Sequence, residues 1–190
     1  MFEYKYDYSI VMGYFNRKQQ VTNTLNQFSK IYKNYNFEVV IVDDNSAKDH
    51  KLNDILKNYD YDIKYIEISA DEKGDRINPC VPYNKGFKAA EGRIVVIQNP
   101  ECYHSSDLLN YVSNHINISN YLVFSCYNTL NKVVSDLVIN NPNIVFDNFF
   151  DNPKFKEFAM KTNLDPRIFT HDARTMWYNH EKYRKCNYHF

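Results

Sequence analysis

Glycine is scarce in this 190-residue chain, and its placement argues against two common phosphate-binding loops. The only glycines are Gly13, Gly74, Gly86 and Gly92. Their spacing matches neither the G-x-G-x-x-G fingerprint of dinucleotide-binding folds nor the P-loop. A dinucleotide-dependent oxidoreductase and a P-loop kinase are therefore disfavoured.

Cysteine is also sparse, and no two cysteines are close enough in sequence to form a Cys-x-x-Cys pair. That spacing argues against a zinc ribbon and against a thioredoxin-like redox site. We expect free thiols, some of them in the core, at Cys80, Cys102, Cys126 and Cys186.

The chain has no excess of charge of either sign, because 23 basic residues balance 23 acidic ones. Without a basic field we expect no nucleic-acid partner, and any anionic ligand must be held by local groups. The apolar runs, such as residues 94–97, are strand-sized, and the first residues lack the pattern of a signal peptide. We expect a cytosolic protein, with residues 1–190 forming a single domain.

Short apolar runs alternate with segments in which apolar residues recur at helical spacing. Strands are predicted at residues 8–12, 37–42, 63–68, 93–98 and 121–127. A first helix is predicted after a cap at Asn16, and a second at residues 52–59. A third is predicted at residues 83–91 and ends before Gly92. A fourth is predicted at residues 108–116, with Ser105 or Ser106 as its cap. Further helices are predicted around residues 133–138 and 152–159. This order predicts an α/β fold with a mainly parallel sheet flanked by helices on both faces.

Polar residues follow the predicted strands, at the sheet edge where such folds bind ligands. Asp43 and Asp44 directly follow the second strand, where carboxylates can accept hydrogen bonds from a base N–H and from ribose hydroxyls. An Asx-turn or helix cap is an equally good interpretation of this pair. Glu101 follows the fourth strand and is a candidate ligand for a hard cation, with a solvated turn residue as the alternative.

Three segments in order, residues 9–17, 39–46 and 84–94, resemble the signatures of family 2 glycosyltransferases. The resemblance implies a GT-A fold, a nucleotide-diphospho-sugar donor (most often a UDP-sugar) and an inverting single displacement. It further implies a donor half at residues 1–105 and an acceptor and catalytic half at residues 106–190. The acceptor would be a glycan, a protein or a lipid.

The resemblance also implies roles for individual residues in the donor half. Phe15 would lie against the uracil ring, and Asp44 would bind the base with Asp43 beside it. The remaining donor-binding positions would be Tyr14, Asn16, Arg17, Arg76, Asn84 and Asn99. The metal motif of the family, Asp-x-Asp, falls where this chain has Asn99-Pro100-Glu101, which makes Glu101 the candidate ligand of a divalent cation, Mn²⁺ or Mg²⁺.

A later segment, residues 170–177, resembles the family stretch that carries the catalytic base, which gives that role to Asp172. The alternative is that Asp172 caps a helix. His171 beside it is a candidate for metal or phosphate contact, although a histidine among aromatic residues is more often structural.

Two other functions fit parts of the pattern. A catalytically inactive module that binds a nucleotide sugar or glycan would explain the missing Asp-x-Asp. A nucleotidyltransferase is disfavoured, because such enzymes place a glycine-rich loop after the first strand, where this chain has residues 14–16. Because residues 187–190 show no helix stop or polar tail, we also expect further domains of a longer chain.

Overall fold

The computed structural model describes residues 3–104 and 107–124. A first compact unit comprises residues 1–103, and a second begins at His104. The strands of the first unit are β1 (Tyr6–Tyr14), β2 (Phe37–Asp43), β3 (Asp62–Glu67) and β4 (Gly92–Gln98). Its helices are α1 (Lys18–Ile31), α2 (Ala70–Lys73) and α3 (Cys80–Ala89).

The four strands form one parallel sheet in the order β3-β2-β1-β4. Val11 at the centre of β1 pairs with Val40 of β2 and with Ile97 of β4. Every residue of β2 is buried, as expected for a central strand covered on both faces. The predicted parallel sheet is therefore confirmed in the described residues.

Helices cover both faces of this sheet. On one face, the ring of Phe28 in α1 contacts the ring of Phe37 in β2 with 6.4 Å between centroids. On the other face, α3 approaches so closely that a Cβ at Gly86 would collide with Val11. Glycine at this position is therefore a packing requirement rather than a turn.

A buried polar network joins the amino-terminal part of the sheet. The fully buried Glu38 carboxylate accepts hydrogen bonds from the Ser9 hydroxyl and the Glu91 amide, each at 2.6 Å. The Lys64 ammonium lies 3.0 Å from the other Glu38 oxygen and 2.5 Å from the Glu91 carboxylate. The Gly92 amide in turn donates to the Ser9 hydroxyl at 2.7 Å. Residues from all four strands thus meet around one carboxylate.

The helix predicted at residues 52–59 is wrong. This stretch contains only a 3-10 turn, Leu56–Asn58, preceded by another at Lys48–His50. Asn53, Asp54 and Asn58 are weak helix formers, and they make up three of the eight residues in this stretch.

The third helix begins earlier than predicted and is not ended by Gly92. It starts at Cys80, directly after Pro79, and ends at Ala89. Gly92 instead opens β4, where an added Cβ would meet the Ser9 backbone. Close approach of two strands, rather than helix termination, therefore accounts for this glycine.

The segment before α3, for which the sequence predicts no helix, contains the short helix α2. The Ser69 side chain accepts a hydrogen bond from the Glu72 amide at 3.2 Å, which is the cap-to-N3 contact of a capping box. The helix ends at Gly74, whose φ of +50° favours glycine.

The cap predicted at Asn16 is also wrong. Asn16 has a left-handed backbone, φ +52°, and the residue before α1 is Arg17, whose side chain makes no cap hydrogen bond. The Asn16 side chain has another partner in the neighbouring loop, described below.

The described part of the second unit contains α4 (Leu108–His115). Its cap is Asp107, which accepts a hydrogen bond from the Asn110 amide at 3.0 Å, and not one of the serines that were predicted. Residues 121–124 have no regular structure, so the predicted strand is wrong there. Its remainder and the helices predicted around residues 133–138 and 152–159 lie outside the described residues.

Among the helices of the described residues, none combines the length and the apolar character that crossing a bilayer requires.

Candidate functional site

The candidate site lies at the carboxyl ends of β1 and β2, where two polar loops are held together by hydrogen bonds. The Asn16 amide donates to the Ser46 hydroxyl at 2.9 Å, and the Ala47 amide donates to the Asn16 side-chain oxygen at 2.8 Å. Asn45 has a left-handed backbone like Asn16, at φ +63°, a conformation that asparagine tolerates better than most residues. The predicted donor residue Asn16 therefore uses its side-chain oxygen to fix the loop after β2.

Asp43 occupies a buried, fully satisfied position at the end of β2. Its carboxylate accepts hydrogen bonds from the Ser46 amide at 2.7 Å, the Lys51 ammonium at 2.9 Å and the Tyr65 hydroxyl at 2.5 Å. Burial raises the pKa of Asp43, but the hydrogen bonds from Ser46, Tyr65 and Lys51 outweigh burial and hold that pKa below its ordinary value. Asp43 is thus an ionised anchor that fixes the strand end.

Asp44 faces a different environment, formed by two cationic side chains from the segment around α2. Its carboxylate accepts a hydrogen bond from the Arg76 guanidinium at 2.6 Å and lies 3.4 Å from the Lys73 ammonium. Lys73 also donates to the Asp44 backbone carbonyl at 2.7 Å. The Asp44 side chain keeps 14% of its surface exposed, so a bound ligand can reach it.

Phe15 presents an aromatic ring beside this charged group. The side chain is 47% exposed, although it directly follows a buried strand. The Lys73 ammonium lies 3.8 Å from the ring centroid, within the range of a cation–π interaction. Lys73 therefore connects Phe15 to Asp44 and covers part of the ring.

Arg17 and Glu101 form an ion pair across the ends of β1 and β4. The Arg17 Nη1 atom lies 3.0 Å from the Glu101 Oε1 atom, and the two side chains are 52% and 37% exposed. The loop that carries Glu101 is fastened to α1, because the Thr24 hydroxyl donates to the Pro100 carbonyl at 2.8 Å. Both members of the pair are therefore placed by the same helix.

The other predicted donor residues have varied surroundings. Tyr14 is buried and donates its hydroxyl to the His50 carbonyl at 2.6 Å. The Asn99 side-chain oxygen accepts from the Tyr83 hydroxyl at 2.9 Å. Asn84 is exposed on α3. Their roles in donor binding stay predictions, as do those of Asp172 and His171, which lie outside the described residues.

The described side chains at this edge do not form a site that could hold the expected divalent cation by protein ligands alone. Within residues 3–104 and 107–124, no three metal-ligating side chains are grouped together. The Glu101 carboxylate is already paired with Arg17, and the side-chain oxygen of Asn99 is engaged by Tyr83. The expectation of a bound cation stays a prediction, and no chemical step below depends on it.

Sequence reasoning missed Lys73, although it has the most central position in the site. It reaches the site because α2 ends at Gly74 and places the last helical residue next to the loop after β2. The capping pattern of Ser69 and Glu72 would have revealed α2, but no local pattern indicates the contact with Phe15.

An exposed aromatic ring, a carboxylate and several cationic side chains therefore lie at the carboxyl edge of a parallel α/β sheet. This is the combination found in domains that bind nucleotides, since the base needs a flat apolar face and the phosphates need positive charge.

The chain belongs to glycosyl transferase family 2, because the model of that family matches residues 9–186. The family resemblance drawn from the motifs is thereby confirmed. The α/β fold of the GT-A type, with a parallel sheet between helices, is confirmed as well.

Solved structures similar to this chain include those of S. aureus TarS. The structure of TarS 1-349 is 23% identical with a TM-score of 0.46, and the match covers 63% of this chain and 38% of that one. A complex of TarS 1-349 with UDP-GlcNAc is 25% identical with a TM-score of 0.40, covering 50% and 26%. The chain thus spans well under half of these structures. A comparison with curated proteins finds no match.

Proposed function

We propose that this domain transfers a sugar from a uridine-diphosphate sugar to a hydroxyl group of an acceptor. Membership of family 2 supports glycosyl transfer. The single observation that carries the choice of a nucleotide donor is the group formed by Phe15, Asp44, Lys73 and Arg76.

In this proposal the donor base lies on the exposed part of the Phe15 ring. The Asp44 carboxylate accepts a hydrogen bond from the N–H of the base, which is a property of uracil that adenine lacks at the corresponding ring nitrogen. Arg76 holds Asp44 in place through the 2.6 Å contact and leaves other guanidinium N–H groups available to the ligand. A base without an N–H at this position would leave the partly desolvated Asp44 carboxylate one hydrogen bond short, which lowers the affinity for that base.

The chemical step in this proposal is a single displacement. A base, for which Asp172 is the candidate, takes the proton of the acceptor hydroxyl, and the oxygen attacks the anomeric carbon. The bond between that carbon and the diphosphate oxygen breaks, its electron pair stays on the leaving UDP, and the configuration at the anomeric carbon inverts. Cationic side chains at the sheet edge stabilise the departing diphosphate.

A thermal-shift experiment with the chain and a panel of nucleotides tests the donor. UDP at 100 times its dissociation constant should stabilise the fold by about 2.7 kcal/mol, whereas ADP, whose adenine lacks the ring N–H, should give little shift at the same concentration. Stabilisation by a purine nucleotide and not by UDP would show that the base assignment is wrong.

Release of UDP from the corresponding UDP-sugar then tests turnover. Binding without release, in the presence of a broad panel of glycan, peptide and lipid acceptors, would favour the inactive binding module over the enzyme.

A further inference from the structure

Glu101 is the candidate metal ligand, yet its partner in the structure is a cationic side chain of the same chain. The contact between Arg17 and Glu101 is 3.0 Å, which is a direct charge-assisted hydrogen bond. We propose that the Arg17 guanidinium supplies, at the donor diphosphate, the positive charge that a divalent cation would otherwise supply. Glu101 is then a positioning residue for Arg17. This inference rests on the proposed nucleotide-sugar donor.

The backbone geometry supports a fixed position for Arg17. It lies in the three-residue connection between β1 and α1, directly before the first residue of α1. The Thr24 hydroxyl of α1 lies 2.8 Å from the Pro100 carbonyl and 3.3 Å from the Cys102 carbonyl. Both carbonyls flank Glu101. The loop that carries the carboxylate and the helix that follows the arginine are therefore held together, which reduces the entropy lost when the ion pair orders.

The chemistry of guanidinium suits this role. Arginine is charged at all working pH values and presents five N–H donors in a planar fork that matches phosphate oxygens. Glu101 engages Nη1, which leaves further N–H groups of the fork for a ligand. With 52% of its surface exposed, the Arg17 side chain is accessible to an incoming diphosphate.

The remaining ligands at this position do not suit a tightly held cation. Pro100 lies between Asn99 and Glu101 and offers no side-chain ligand, and the side-chain oxygen of Asn99 already accepts a hydrogen bond from Tyr83. A divalent ion bound to Glu101 would also have to displace Arg17 or share the carboxylate with it, and like charges at that distance repel. In the transfer step, the electron pair of the breaking sugar–oxygen bond moves onto the β-phosphate, where Arg17 stabilises the charge.

Calorimetric titration of UDP into the chain tests this proposal in three buffers, containing EDTA, Mg²⁺ or Mn²⁺. We expect the dissociation constant of the parent to differ by less than about threefold among the buffers. Arg17→Gln should weaken UDP binding by about 10- to 100-fold in all three, since a hydrogen bond to a charged group is lost. Arg17→Lys should recover part of the affinity, and Arg93→Gln, at an exposed position on β4, serves as the matched control and should leave binding unchanged.

Glu101→Gln separates the two roles of the carboxylate. If Glu101 positions Arg17, the variant should weaken UDP binding by a similar factor with EDTA and with Mn²⁺. If Glu101 is a metal ligand, the loss should appear only with the metal. The electron paramagnetic resonance signal of Mn²⁺ gives an independent readout, and adding the chain to Mn²⁺ and UDP should reduce that signal no further than UDP alone does.

The outcomes distinguish this inference from the proposed function. UDP binding that requires Mg²⁺ or Mn²⁺ and persists in Arg17→Gln would overturn the role of Arg17 and leave the donor assignment intact. A parent chain that binds no UDP in any of the three buffers would overturn the donor assignment, and the role of Arg17 with it.

Discussion

Asp43 and Asp44 are adjacent in the sequence, but their carboxylates lie in opposite kinds of environment. The Asp43 side chain is fully buried among donors that belong to the fold. The Asp44 side chain reaches the surface between Lys73 and Arg76. Asp43 therefore has the surroundings of a strand-ending turn residue, and Asp44 is the one of the two that a ligand can reach.

Asp44→Asn should weaken UDP binding by about tenfold or more, because the variant retains the shape of the side chain and loses the charge that accepts the hydrogen bond from the base. Calorimetry measures the effect. Asp54→Asn is a suitable control, since Asp54 is 66% exposed and pairs with Lys18 outside the site. Unchanged UDP affinity in Asp44→Asn would remove Asp44 from the donor site.

Asp43→Asn should lower the free energy of unfolding by about 3 kcal/mol, because it breaks a buried ion pair and leaves the hydrogen bonds from Tyr65 and Lys51 weakened. Urea unfolding measures this loss. The folded fraction should still bind UDP with an affinity within a few-fold of the parent. A stable variant that fails to bind UDP would reverse the roles of the two aspartates.

Lys73→Met should weaken UDP binding by about three- to tenfold while leaving stability nearly unchanged. The methionine retains the apolar stem but loses the cation over Phe15 and the hydrogen bond to the Asp44 carbonyl. Lys88→Met, at an exposed position on α3, is the matched control. Equal affinities for the two variants would show that Lys73 neither orients Phe15 nor contributes charge to the ligand.

Stability should fall as the pH drops from about 6.5 to about 4, because burial lowers the pKa of His104 from 6.5 to about 4. In that interval the unfolded chain binds a proton at His104 that the folded chain does not bind, so protonation favours unfolding. The full effect corresponds to about 3 kcal/mol.

Chemical denaturation at several pH values measures this slope. His104→Gln should flatten it, and His115→Gln on the exposed surface of α4 should not. A slope that persists undiminished in His104→Gln would contradict the assignment to His104.

Asp172→Asn should reduce transfer by roughly 10²- to 10⁴-fold and leave UDP-sugar affinity nearly intact, if Asp172 is the general base. If Asp172 instead caps a helix, the variant should cost about 1 kcal/mol of stability and change transfer little. A transfer assay and a melting curve on the same preparation separate the two results. Activity within a few-fold of the parent would direct attention to His171.

The sheet could be predicted because its strands are apolar runs with polar residues at their carboxyl ends. The proximity of Phe15 and Asp44 follows from that pattern, since β1 and β2 pair in parallel up to Tyr14 and Asp43. The position of Lys73 could not be predicted, because it depends on where a four-residue helix ends and on a contact with a residue 58 positions earlier.

Helical spacing alone also misled the interpretation of residues 52–59. Leu52 is fully buried although this stretch is not an α-helix. A succession of turns can bury a few apolar side chains that happen to recur at helical spacing. The different surroundings of Asp43 and Asp44 could not be predicted either, because they depend on partners such as Tyr65 and Arg76 that are far away in sequence.

The buried network around Glu38 has a consequence for how accurately the chain folds. Side chains alternate between the two faces of a strand, so a slip of β2 by one residue would move Glu38 to the face packed by the aromatic rings of α1. There its charge would lack the Ser9 hydroxyl and the Lys64 ammonium that compensate it in the native pairing. A misaligned sheet would thus contain an isolated buried charge, which costs free energy. This cost disfavours misaligned states even where their apolar residues would pack almost as well as in the native sheet.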